Sequence, residues 1–137
     1  MNTFKNGFVL ALAVCFLAAC AGTGGGPVEQ TVEERAQERW DHLLARDFEE
    51  AWALYTPGFR SQTDPRAFAG ALSNRPVRWL GAVVRPDSDC DGDRCRVVVD
   101  VTYQPIGAPA GQGRLRMTRP VDETWIRVDG QWWFVQN

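Results

Sequence analysis

The sequence predicts an α+β fold in which helices come first and an antiparallel sheet follows. Three observations carry this. Apolar residues recur at helical spacing from Val32 to Leu72, and they alternate one by one from Val77 onward. An Asp129-Gly130 dipeptide then sits between two aromatic-rich runs, the strongest short signal for a two-residue hairpin. A block of helices followed by a block of strands belongs to the α+β class rather than to an alternating α/β layout.

Each element has its own signal. Thr31-Val-Glu-Glu34 has the spacing of a capping box, and Val32, Ala36, Trp40, Leu43 and Leu44 follow at helical intervals, which predicts an amphipathic helix over 32–46. Asp47 with Glu50 repeats the cap pattern; Phe48, Ala51, Trp52 and Tyr55 share a face of a second helix, stopped by Pro57-Gly58. Asp64-Pro65 supplies an N-cap and a proline at N1 for a third helix, with Phe68, Ala71 and Leu72 on its face and an end near Asn74. Residues 77–85 form the first strand. Residues 95–104 form the second, with Cys95, Val97, Val99, Val101 and Tyr103 on one side. A loop spans 105–113. In the long strand 114–128 the phase changes, with Leu115 and Met117 at odd positions and Ile126 and Val128 at even ones. One extra residue near Pro120-Val121 would restore register, so a bulge is predicted there. Residues 132–136 form the fourth strand of a meander.

The N-terminus is an address rather than core. Lys5 is followed by an apolar run from Phe8 to Ala19. A helix of roughly 12 residues is about 18 Å long, short of the roughly 30 Å hydrocarbon core, so the run reads as a signal peptide. Its end, Leu17-Ala18-Ala19-Cys20, resembles the lipobox of bacterial lipoproteins at all four positions. The resemblance implies lipidation of Cys20, cleavage before it, and acylation that anchors the chain to a membrane. Ala21 in place of aspartate resembles the outer-membrane default, which implies the cell envelope, at the periplasmic face of the outer membrane where the source has two membranes. The domains are then a signal peptide at 1–19, the lipidated cysteine with a glycine-rich tether at 20–29, and one folded domain at 30–137.

Composition narrows the function classes. Loss of Lys5 with the signal leaves 14 arginines against 17 acids, which argues against a nucleic-acid footprint. Cys15 leaves with the signal and Cys20 is lipidated, so Cys90 and Cys95 remain in an oxidising compartment and read as a bridge across a turn. The enclosing stretch, DSDCDGD, puts Asp87, Asp89, Asp91 and Gly92 at positions 1, 3, 5 and 6 of a calcium loop. The twelfth position is Val98 instead of glutamate, and a bridge would impose its own loop shape. A solvated, disulfide-tied turn without metal is expected, and no cofactor motif is present.

The element order and two segments, ERAQERWDHLLARDFEEAWALYTPGFR and DETWIRVDGQWWFV, resemble the opening helix pair and closing hairpin of the nuclear transport factor 2-like superfamily, also called SnoaL-like or cystatin-like cone folds. The resemblance implies a curved sheet wrapped around the helices, able to enclose a pocket. Members include isomerases, dehydratases, carriers and partner-binding domains, and the isomerases use acids and a tyrosine inside the cone.

Catalytic candidates are sparse. His42, the single histidine, projects about 130° from the centre of its helix's apolar arc, toward solvent. The inward face of strand 95–104 carries no carboxylate. Tyr55 and Tyr103 can donate hydrogen bonds in a cavity, and Asp122 and Glu123 flank the predicted bulge, which leaves an acid–base enzyme of isomerase or dehydratase type as the alternative. Arg114, Arg116 and Arg119 read as charges that keep an exposed strand from pairing, with contact to an anion as the other reading. The hairpin puts Ile126, Val128, Trp133 and Val135 on one face and Trp125, Trp132 and Phe134 on the other. One of these faces lines a cavity, meets a partner or stays exposed, unless the sheet curls enough to bury both sets. The expectation is a binding or assembly module without catalytic residues. Its surface would comprise the cone interior (Trp40, Tyr55, Trp79, Tyr103) and the aromatic face (Trp125, Trp132, Phe134). A small apolar ligand, an envelope protein or a second copy of the chain would be the partner.

Overall fold

In a computed structural model, residues 29–107, 109 and 115–136 are described. The signal segment, Cys20, most of the tether and Arg114 lie outside them. Helices α1 (Val32–Ala45), α2 (Phe48–Ala53), α3 (Pro57–Gln62) and α4 (Pro65–Ser73) precede strands β1 (Val77–Val84), β2 (Asp89–Asp91), β3 (Arg94–Pro105), β4 (Met117–Val128) and β5 (Gln131–Val135). The sheet is antiparallel in the order β1-β3-β4-β5, with β2 paired to β3. Helices packed on a curled antiparallel half-barrel make this an α+β chain, consistent with a cone.

The helix starts follow their caps. Thr31 Oγ1 accepts from the Glu34 N–H while Glu34 Oε2 accepts from the Thr31 N–H, closing both halves of the capping box. Asp64 Oδ1 accepts from the N–H groups of Arg66 and Ala67 at the start of α4. One helix was not expected. Pro57-Gly58, read as a stop, instead opens α3, with Thr56 as N-cap and Pro57 at N1, where the missing N–H costs nothing. The second helix accordingly ends at Ala53, and Tyr55 leaves it as extended chain.

The predicted bulge at Pro120-Val121 is absent. β3 and β4 pair without interruption, Val97 opposite Glu123, Val99 opposite Val121 and Val101 opposite Arg119. The inward residues of β4 are odd-numbered throughout, and a buried glutamate among them disguised the phase. The bulge lies in β1, between Trp79 and Gly81. It switches the inward set from Trp79 to Ala82 and Val84 and leaves Val83 outside at 67% exposure.

The core fills the space between α1 and the sheet: Val32, Ala36, Trp40 and Leu43 meet Cys95, Val97, Val99 and Val101. The hairpin pairing is as expected, with Trp125 opposite Phe134 and Ile126 opposite Trp133. Trp125, Trp132 and Phe134 are 0%, 9% and 8% exposed, so this aromatic face is core and not an exposed contact surface. The sheet curls enough to turn all three toward the helices. Ile126, Trp133 and Val135 lie outside and are half-buried.

Each outer strand is covered in part. The Gln37 side chain donates to the Ala82 carbonyl and accepts from the Val84 N–H, so one amide pairs with β1 as a neighbouring strand would. At the other edge the Phe134 N–H donates to the Leu54 carbonyl and the Thr56 N–H to the Phe134 carbonyl. These contacts cover backbone groups that would otherwise invite another strand.

Cys90 and Cys95 face each other across the β2–β3 turn and are disulfide-bonded. Gly92 there takes φ +56°, a left-handed value suited to glycine. The Ser88 hydroxyl donates to Glu33, tying this turn to α1. Partial burial would raise the Glu33 carboxyl, but hydrogen bonds from Ser88 and its neighbours outweigh it and hold the group below its ordinary range.

Candidate functional site

The helices and the sheet enclose a cavity of about 450 Å³, within the range of small-molecule sites. α1 contributes Arg39, Trp40 and Leu43, and α4 contributes Leu72 with Arg75 just beyond it. From the sheet come Trp79 on β1, Tyr103 on β3, Val121 and Glu123 on β4, and Phe134 on β5. Tyr55 reaches the cavity because the chain after α2 is hydrogen-bonded to β5.

The four residues expected inside the cone, Trp40, Tyr55, Trp79 and Tyr103, are therefore brought together. Trp40 and Trp79 meet edge to face at 5.3 Å, as do Tyr55 and Phe134 at 4.8 Å. Phe134 joins the cavity from the aromatic face, while Trp125 and Trp132 do not line it. His42 lies elsewhere, in a shallow surface depression with Glu34, Gln37, Glu38 and Asp41.

Of the two charged residues at the cavity wall, Arg39 escaped sequence reasoning, and Glu123 entered it only as an acid beside the predicted bulge. Arg39 and Glu123 are buried, with side chains 7% and 2% exposed, and form an ion pair at 2.8 Å. Glu123 Oε1 accepts from Arg39 Nη1 and, at 2.7 Å, from Trp40 Nε1; Oε2 accepts from Trp125 Nε1 at 3.0 Å. Arg39 Nη2 donates to the Tyr55 hydroxyl at 2.6 Å. The guanidinium lies 3.7 Å over the Phe134 ring and 4.9 Å from that of Tyr55, a geometry that favours a cation. Arg39 Nε is buried without a hydrogen-bond partner.

This arrangement bears on chemistry. A general base must present a free lone pair to the substrate proton. Three donors already hold Glu123, and Arg39 stands between it and Tyr55, so it acts as a fixed counter-charge. The rim is cationic. Arg75 and Arg119 are exposed and lie over Trp79 and Tyr103 at 5.4 and 5.6 Å. The described residues contain every Asp and Glu of the chain, and among them neither arginine has an ion-pair partner. Asp122, also at the rim, is held by Arg96 at 2.6 Å. Arg119 also lines the cavity.

Among the described residues no group of three or more His, Cys, Asp or Glu is arranged to hold a metal ion. Asp93, in the acidic turn, instead accepts from Arg127 Nε at 2.9 Å. Arg39 was legible in principle. At about 100° per residue it projects within about 40° of Leu43, inside the apolar arc.

Neither a protein-family model nor a curated protein matches the sequence. Solved structures do share its fold. A SEC-C motif containing protein from Rhodopseudomonas palustris matches with a TM-score of 0.59 at 16% identity, over 77% of this chain and 76% of that one. A SEC-C motif containing protein from Psychrobacter arcticus matches with a TM-score of 0.59 at 14% identity; the match covers 79% of this chain and 60% of that one. A protein of the nuclear transport factor 2-like family from Streptomyces avermitilis matches at 0.47 and 12% identity, over 73% and 86%, a likeness too weak to place this chain in that family.

Proposed function

We propose that this chain is a lipid-anchored envelope protein whose cone-like domain binds a small, largely apolar ligand between its helices and its sheet. The observation that carries the reading is the cavity itself. Five aromatic side chains from four separate elements and the chain between α2 and α3 converge on about 450 Å³ of space they do not fill. A core packed only for stability closes such space. The acid–base alternative is disfavoured by Glu123, which already accepts from Arg39, Trp40 and Trp125 and is neutralised by the Arg39 charge. The anchor rests on Leu17-Ala18-Ala19-Cys20.

The neutral fluorophore N-phenyl-1-naphthylamine tests the cavity. The folded chain should bind it with one saturable site, and Leu72→Trp, which places an indole at the cavity wall, should weaken binding at an unchanged melting temperature. Saturable binding that Leu72→Trp leaves intact would put the site elsewhere. For the anchor, Cys20→Ser should release soluble protein or leave the precursor uncleaved. An acylated membrane species from that variant would refute the lipobox.

A further inference from the structure

Among the charged side chains that line the cavity, the carboxylates are committed while two guanidinium groups are not. Glu123 accepts three bonds, of the roughly four a carboxylate can take, and Asp122 is paired outward to Arg96. The donor side is open. The Tyr55 hydroxyl receives its hydrogen bond from Arg39, so its own proton remains available. Arg75 and Arg119 bring two further cations that no Asp or Glu neutralises, each lying over an aromatic ring of the wall.

From this imbalance we infer that the ligand is an anionic amphiphile, a flat apolar body carrying one carboxylate or sulfonate-like group, with Arg75 and Arg119 selecting the anion at the rim. The inference rests on the cavity being a ligand site. A neutral apolar ligand would use the aromatic walls and leave the two rim guanidinium groups to water. An anion gives them charge-assisted hydrogen bonds, about twice as strong as neutral ones. A cationic ligand would meet two like charges at the entrance. The apolar body has a matching surface in Trp40, Trp79, Tyr103 and Phe134.

Two probes with the same ring system separate the claims. 1-Anilinonaphthalene-8-sulfonate and N-phenyl-1-naphthylamine differ by one sulfonate. With the chain produced from residue 20 onward and carrying Cys20→Ser, the sulfonate probe should bind about tenfold more tightly, and added salt should shrink the gap. Arg75→Gln and Arg119→Gln should each reduce sulfonate binding severalfold, and together they should abolish the preference for the sulfonate probe over the neutral one. Both arginines are exposed, so the melting temperature and near-ultraviolet dichroism of these variants should match the parent. Equal binding of the two probes, or a preference that survives the double substitution, would overturn the anion inference while the cavity reading stands. Binding of neither probe would overturn both.

Discussion

Arg39 on α1 and Glu123 on β4 form a 2.8 Å ion pair that water scarcely reaches, and the same carboxylate collects the indole N–H groups of Trp40 and Trp125. One side chain thus fixes a helix, the middle of the sheet and the cavity wall. Breaking a buried pair from one side leaves an uncompensated charge, at a cost of about 3–5 kcal/mol. Glu123→Gln should lose that much in urea denaturation, a large part of the roughly 5–15 kcal/mol that holds a domain together. Replacing both partners, Arg39→Met with Glu123→Leu, should recover most of the loss, because the desolvation cost disappears with the charges. A Glu123→Gln chain as stable as its parent would show that the pair holds nothing.

Trp132 is 9% exposed and faces the helices, with Arg127 lying over its ring at 5.2 Å. Trp132→Gln should therefore cost about 3–5 kcal/mol, as removal of a buried aromatic does, and lower the melting temperature while leaving the sedimentation coefficient of the folded fraction unchanged. Unchanged melting with altered association would return Trp132 to the surface.

The two misreadings of the sheet share one physical cause. Alternation reports a strand's inward face only when buried positions are apolar. In β4 the inward set runs Val121, Glu123, Trp125, and the glutamate, satisfied by partners some 80 residues earlier in the chain, reads as solvent-facing. Ile126 and Val128 then look like the core side, and a bulge has to be invoked to reconcile them. In β1 the real bulge falls at Leu80, between Trp79 and Gly81, in an apolar stretch with no alternation to break. Where the pattern was unmixed it held. The capping box of α1 and the buried series Cys95, Val97, Val99 and Val101 stand as the spacing predicts. The aromatic cavity residues were legible for the same reason. The charges among them were not, because their pairing depends on tertiary neighbours.

The Cys90–Cys95 bridge closes a very short loop, with a sequence separation of 5. Chain entropy assigns closure of so small a loop about 2 kcal/mol. The paired Cys90→Ser, Cys95→Ser variant should fold with a modestly lower denaturation midpoint, and the parent should yield a linked peptide under non-reducing mass spectrometry. Free thiols in oxidised material, or a variant that fails to fold, would contradict this account.

Asp100 and Arg85 form a two-pronged pair on the outer side of the sheet, at 2.8 and 2.9 Å. The hydrogen bonds from Arg85, with its charge, hold the Asp100 carboxyl below its ordinary value, and the guanidinium is correspondingly raised. A carboxyl depressed by folding stabilises the fold fully above its unfolded pKa and loses that contribution as pH falls through the folded value. Arg85 stays protonated throughout, so the acid limb reports Asp100. Carboxyl carbon resonances followed by NMR should give Asp100 a midpoint below that of an unpaired aspartate, and Arg85→Gln should move it up toward the ordinary range. High salt should narrow the difference, since the pair is open to solvent. A midpoint already ordinary in the parent, or one that Arg85→Gln leaves in place, would mean that the pair does not persist in solution.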